Sequence, residues 1–183
     1  RPPARGDGRR RRRHPRAPLR RLDRRPVSHS LADVASFGVA PAALVVASAR
    51  TGWGGTRLLV AVAVGACVVA MAVVRLGMYT ADDVGNGLTE GVPTTLAGTL
   101  VAATVLSGVV DPLVVVGLGA VLAAAMVTTV PYPDLRVRDA LVMGAVQALA
   151  VLAPTALDRV FPRALLAFAL AYCVLGPRFY RGG

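Results

Sequence analysis

The sequence predicts an all-α fold, a polytopic membrane helix bundle with about six transmembrane helices. Composition is the first observation behind this prediction. Of the 183 residues, 55% are hydrophobic and 17% are charged, whereas soluble domains average about a quarter charged residues. The second observation is the pattern. From Leu31 onward apolar runs alternate with short polar breaks, and runs such as 60–74 lack the polar outer face that a soluble amphipathic helix needs.

The predicted helices follow six apolar runs. In chain order these are 31–49, 58–74, 92–110, 113–130, 140–153 and 164–176. Crossing the hydrocarbon core takes about 20 apolar residues, and about 17 are tolerated. The second, third and fourth runs reach that length unaided. The first reaches it only with Asp33 included, and the last two need flanking residues.

Small residues are frequent within these runs, and they let membrane helices approach one another closely. Five glycines are therefore predicted to be helix-packing positions: Gly65, Gly98, Gly117, Gly119 and Gly144.

Positive charge divides the chain into a basic segment, residues 1–29, and a membrane domain, residues 30–183. Residues 1–30 contain 12 of the 21 arginines. The basic segment has three interpretations: GC-rich DNA read in the wrong frame in the gene model, a disordered patch on anionic lipid headgroups, or a nucleic-acid arm. The last is disfavoured because no aromatic or base-reading module accompanies it, so no nucleic-acid partner is predicted.

Arginine placement also predicts the orientation of the bundle, because Lys and Arg favour the cytoplasmic side. With the N-terminus inside, six spans put Asp33 and the loops 75–91 and 131–139 on one face. We therefore predict a multi-pass protein of the cell membrane whose active site lies on the cytoplasmic face.

Four stretches of the membrane domain are similar to motifs of one enzyme family. They are Ser30–Pro41, Arg75 with Leu76, Glu90–Thr94 and Met126–Pro133. In this order they resemble the CDP-alcohol phosphatidyltransferase family, and within it the phosphatidylserine or archaetidylserine synthase branch. Ser30–Pro41 resembles the end of the signature D-x2-D-G-x2-A-R-x8-G-x3-D-x3-D and the residues that follow it.

The resemblance implies a transferase of phospholipid biosynthesis that displaces CMP from a CDP-activated lipid with serine. It also implies a divalent metal, Mg²⁺ or Mn²⁺, held on the pyrophosphate by aspartates, the last of which deprotonates the attacking hydroxyl. Asp33 matches that aspartate, so it is the predicted catalytic base and a metal ligand. Arg16, Arg75, Asn86 and Glu90 are predicted to bind substrate. The expected partners are the CDP-activated lipid, serine and the bilayer, and a homodimer is left open.

The residues by themselves allow plainer interpretations. Asp33 is also compatible with a solvated helix cap, and Arg75 with a side chain that snorkels to the interface. Asn86 and Glu90 are compatible with ordinary loop polarity. Within the family, glycerol phosphate and inositol phosphate are alternative acceptors.

The segment upstream of Asp33 departs from the family signature. Where the signature has its first three aspartates, this sequence has Gly8, Arg11 and His29. Arg16 keeps its expected identity. Asp7 is a further possible metal ligand, but it lies four residues upstream of the matching position. A catalytically inactive membrane fragment is therefore an alternative to the enzyme.

Overall fold

Apolar helices account for most of the fold. The structure is a computed structural model and describes residues 32–81, 88–133 and 137–179. In chain order these contain helices α1 (Ala32–Arg50), α2 (Gly55–Ala81), α3 (Thr94–Leu106), α4 (Pro112–Met126), α5 (Val137–Leu152) and α6 (Val160–Phe179). Two short strands, β1 (Leu88–Glu90) and β2 (Pro131–Pro133), form an antiparallel ribbon. The predicted class, an all-α membrane helix bundle, is confirmed.

The helices fall into two length classes. Apolar stretches of 19, 24 and 18 residues in α1, α2 and α6 are long enough to cross a membrane. Helices α3, α4 and α5 have 13, 15 and 16 residues, and at 1.5 Å per residue they reach only about 20–24 Å. The prediction that the third and fourth runs form full-length spans was therefore wrong.

Local backbone chemistry explains why α3 and α4 are short. Pro93, with an extended ψ of 139°, precedes the first residue of α3. Gly108, two residues after the last residue of α3, has a φ of +92° that does not continue a right-handed helix. Asp111 begins α4, because its carboxylate accepts the Leu113 N–H at 2.8 Å and Pro112 occupies the first turn. Residues 107–110 carry no charge and extend the hydropathy run, but together with Asp111 they form the connection between the two helices.

A turn of π-helix lies inside α1, at Ala35–Val39, just before Pro41. Proline has no N–H to donate, and its ring clashes with the carbonyl four residues earlier in a regular α-helix. The wider turn, in which the Ala40 N–H bonds to the Ala35 carbonyl, changes the backbone spacing at this place. The helix therefore continues through Pro41 to Arg50.

Helix α3 lies at the centre of the bundle. It packs against α1, α4 and α6, and seven of its 13 residues are buried. Helices α1, α2 and α4 pack against one another on one side of it, while α5 contacts α6 at the edge. The outward-facing side chains are apolar: Leu141 is 70% exposed and Leu152 is 81% exposed. A surface of this kind matches a bilayer environment.

Three of the five predicted packing glycines lie at close helix contacts. An added Cβ at Gly65 would come 3.1 Å from Val46, one at Gly98 3.2 Å from Phe37, and one at Gly119 3.0 Å from Val45. The prediction was wrong for Gly117 and Gly144, since nothing lies within 4 Å of a Cβ placed there.

Consecutive helices run in opposite directions, which gives the bundle two ends. Gly38 lies against Ala72, whereas Gly65 lies against Ala42, so α1 and α2 are antiparallel. The end that carries the two strands, together with the start of α1, is called the ribbon end. The opposite end, formed by the connections 51–54, 107–111 and 153–159, is called the far end.

Candidate functional site

The ribbon joins two stretches that are 40 residues apart in the sequence. Leu88 pairs with Pro133, Thr89 with Tyr132, and Glu90 with Pro131. The two prolines fix extended backbone and have no N–H, so Tyr132 carries the only backbone donor of β2. The sequence analysis missed this ribbon, and the Pro-Tyr-Pro run was the one signal for extended chain at this place.

At Gly91, the chain segment that follows β1 packs against the C-terminal end of α4. The Gly91 N–H donates to the Val130 carbonyl at 2.8 Å, and the φ of Gly91 is +75°. An added Cβ would come 2.5 Å from the Met126 carbonyl oxygen and 2.7 Å from that of Thr128. Only glycine fits this backbone and this space. The motif stretches Glu90–Thr94 and Met126–Pro133 therefore pack directly on each other.

Arg75 is buried next to Gly91, where the two motif stretches pack on each other. Its side chain is 6% exposed, and Nη2 donates to the Gly91 carbonyl oxygen at 3.4 Å. This bond ties the C-terminal part of α2 to the start of the α3 segment. The side chain thus has a structural contact within the bundle, and the geometry differs from the snorkelling expected of an arginine at a helix end. Substrate binding by Arg75 stays a prediction.

Asp33 lies close to the first described residue of α1, at the ribbon end, and is exposed. Phe37 and Gly38, about one turn further on, pack against Gly98 of α3 and Ala72 of α2. Asp33 is therefore held at the rim of the bundle on a helix whose next turn is fixed, although it makes no ion pair with the described Arg75.

The remaining predicted site residues are only partly described. Glu90 is exposed at the end of β1, at the same end of the bundle as Asp33. Arg16, Asp7 and Asn86 lie outside the described residues. Within the ranges that the structure describes, no three His, Cys, Asp or Glu side chains lie close enough together to hold a metal ion. The described residues do not form by themselves the metal site that the resemblance implies, so we assign no chemical step to a metal.

Tyr132 fastens the ribbon to α6. It is 5% exposed, its hydroxyl donates to the Cys173 carbonyl oxygen at 3.0 Å, and its ring centre lies 6.2 Å from that of Tyr172. Burial, followed by the neighbouring Cys173, raises the pKa of Tyr132 to about 12. The hydroxyl therefore stays protonated at neutral pH and remains a hydrogen-bond donor.

A groove of about 660 Å³ opens between α3, α5 and α6. Pro93 lines its ribbon-end part, and Phe168 and other apolar side chains form most of its walls. Thr95, Thr99 and Gln147 add polar groups. A volume of this size is within the range of small-molecule sites, which are mostly apolar with a few polar groups.

Comparison of the sequence with protein-family models and with curated proteins gives no match.

Proposed function

We propose that this chain carries the later part of a CDP-alcohol phosphatidyltransferase domain, and that the complete domain transfers a phosphatidyl or archaetidyl group from a CDP-activated lipid to serine. The spatial arrangement of the motifs carries the proposal. Stretches that resemble the family, and that are far apart in sequence, meet at one end of the bundle. Gly91 rests on the carbonyls that end α4, Arg75 bonds to Gly91, and Asp33 lies at the same end.

In the proposed reaction the serine hydroxyl attacks the phosphorus that bears the lipid. A P–O bond to serine forms, the P–O bond to CMP breaks, and the hydroxyl proton passes to the Asp33 carboxylate. A base must lie within hydrogen-bond reach of the proton that it removes. Asp33 is accessible to a substrate hydroxyl, because it is exposed at the rim of the bundle. In the proposed reaction the water-soluble alcohol reaches the membrane-bound lipid at this rim.

The groove between α3, α5 and α6 supports a lipid substrate. It begins near Pro93, next to the ribbon, and its apolar walls continue past Phe168. Hydrocarbon chains in this groove would leave the CDP headgroup at the ribbon end. The substrate's polar and apolar parts then match the polar rim and the apolar helices.

One observation favours a second candidate, a membrane fragment without catalytic activity. Arg11 and His29 occupy positions where the family signature has aspartates. A guanidinium at a ligand position repels the cation that the pyrophosphate needs.

The identity of the acceptor is testable with the upstream signature supplied in register with Asp33. We expect serine to release CMP from CDP-lipid in detergent or vesicles, and glycerol phosphate and inositol phosphate to release far less. Radiolabelled CMP and the lipid product are measured in parallel. A preference for either alternative acceptor would keep the family assignment and overturn the serine assignment.

The proposed orientation places the ribbon end in the cytoplasm. Thr129 and Gly54 are exposed at opposite ends of the bundle, and an added Cβ at Gly54 meets nothing within 4 Å. After Cys67→Ala and Cys173→Ala, single cysteines at these two positions should react with a membrane-impermeant maleimide from opposite sides. In intact cells Gly54→Cys is expected to label, and Thr129→Cys only after lysis. Labelling of both from the same side would contradict the threading.

A further inference from the structure

The far end of the bundle forms a continuous surface. Its three connections all lie within the described residues, and they touch in pairs. Gly52 lies near Pro112, since an added Cβ on Gly52 would come 3.4 Å from the proline ring. The Arg159 guanidinium lies against Gly108 and leaves no room for a side chain there. Charged side chains on the three connections therefore lie on one face of the bundle.

Positive charge is in excess on this face. Four arginines lie here, Arg50, Arg57, Arg159 and Arg163, against the two carboxylates Asp111 and Asp158. Both carboxylates are already engaged: Asp158 accepts from Arg163 Nη1 at 2.8 Å, and Asp111 caps α4 by accepting the Leu113 N–H.

Arg50 and Arg57 lie on either side of the four-residue connection 51–54, at the end of α1 and the start of α2. Both are exposed, and neither forms an ion pair with any residue that the structure describes. Because the two helices pack closely along their length, the short connection keeps Arg50 and Arg57 at the same end of the bundle.

Trp53, the single tryptophan of the chain, lies between these arginines. Its backbone N–H donates to the Ala49 carbonyl at 2.8 Å, and its half-buried side chain packs against the core. Tryptophan is enriched where a membrane helix meets the headgroups, so we expect this connection to lie at the depth of lipid phosphates. Guanidinium groups bind phosphate oxygens through charge-assisted, often bidentate, hydrogen bonds.

We propose that Arg50 and Arg57, with Trp53 between them, bind the headgroup of an anionic phospholipid in the leaflet at the far end. The two exposed guanidinium groups supply the charge, the exposed part of the tryptophan ring contacts the upper part of the acyl chains, and neither arginine forms an ion pair with a described carboxylate. The site lies at the opposite end of the bundle from Asp33, so it does not depend on the proposed transferase activity.

Trp53 makes this site measurable without labelling. The full chain is reconstituted in vesicles of phosphatidylglycerol and phosphatidylcholine, in which one or the other lipid carries brominated chains that quench tryptophan on contact. At equal mole fractions, brominated phosphatidylglycerol is expected to quench Trp53 as if it were several-fold enriched, by up to about fivefold for each arginine. Equal quenching by the two lipids, or stronger quenching by phosphatidylcholine, would overturn the proposal.

Matched variants assign the preference to the two arginines. The pair Arg50→Gln and Arg57→Gln should bring the relative enrichment close to one. The paired change Arg163→Gln with Asp158→Asn removes a neutral ion pair and should leave the enrichment unchanged. The other arginines are the same in the unchanged chain and in the Arg50 and Arg57 variants. A difference in quenching between these proteins is therefore due to Arg50 and Arg57. If the double variant does not insert, the single variants are measured, and each should lose about half of the preference on a logarithmic scale. Retention of the full enrichment without Arg50 and Arg57 would refute the assignment.

Discussion

Asp33→Asn is expected to lower the rate of serine-dependent CMP release by about 10²–10⁴, in a chain that carries the upstream signature in register. Asparagine keeps the shape of the side chain but cannot accept the proton of the serine hydroxyl, and general-base catalysis contributes a factor of this size. Asp33 is exposed and makes no ion pair with another described residue, so the bundle should tolerate the change. CMP release and CDP-lipid affinity are measured on the same preparation.

Two comparisons separate a proton acceptor from other roles of Asp33. Asp158→Asn removes another exposed carboxylate, at the far end, and should leave turnover unchanged. CDP-lipid affinity should change far less than turnover in Asp33→Asn. A turnover loss below about tenfold would remove Asp33 from the role of base, and an equal collapse in lipid affinity would make it a ligand-holding residue instead.

The sequence with its present residues 1–29 is expected to release CMP at least about 10²–10³ times more slowly than the version carrying the family signature. Removing one well-placed group that stabilises developing charge costs a factor of this order, and Arg11 and His29 occupy two aspartate positions of the signature. The measurement is CMP release from CDP-lipid and serine by both purified proteins in the presence of Mg²⁺ or Mn²⁺.

The matched control is the same upstream segment with its aspartates changed to asparagine. This control restores the length and apolar character of the segment without its carboxylates, so activity that returns only with aspartate is due to charge rather than to improved folding. Comparable CMP release by the present 183-residue sequence would contradict the argument that its upstream segment is damaged.

Hydropathy predicted the number and order of the helices, because burial in lipid requires long apolar runs and polar connections. It could not predict where α3 and α4 end. Val109 and Val110 are apolar, yet the positive φ of Gly108 and the Asp111 cap place them outside both helices. Composition likewise identified the small residues, but it could not tell which of them face a neighbouring helix. Gly119 was therefore predicted correctly as a packing position and Gly117 was not.

The candidate site was only partly predictable for a related reason. The threading of six spans put the loops 75–91 and 131–139 on one face, and the structure brings Arg75, Gly91 and β2 together at one end of the bundle. The ribbon was missed because strands of three residues carry too little alternation to detect. The burial of Arg75 was missed as well, since its contact with the Gly91 carbonyl depends on a long-range packing arrangement.

The close packing of Gly91 against the carbonyls of Met126 and Thr128 bears on the order in which the helices enter the membrane during synthesis. Those carbonyls belong to residues synthesised about 35 positions later, so the contacts around Gly91 cannot form until the end of α4 has left the ribosome. Helix α3 is also too short, at 13 residues, to cross the bilayer core unaided. We therefore expect helices α3 and α4 to enter the membrane together as one hairpin.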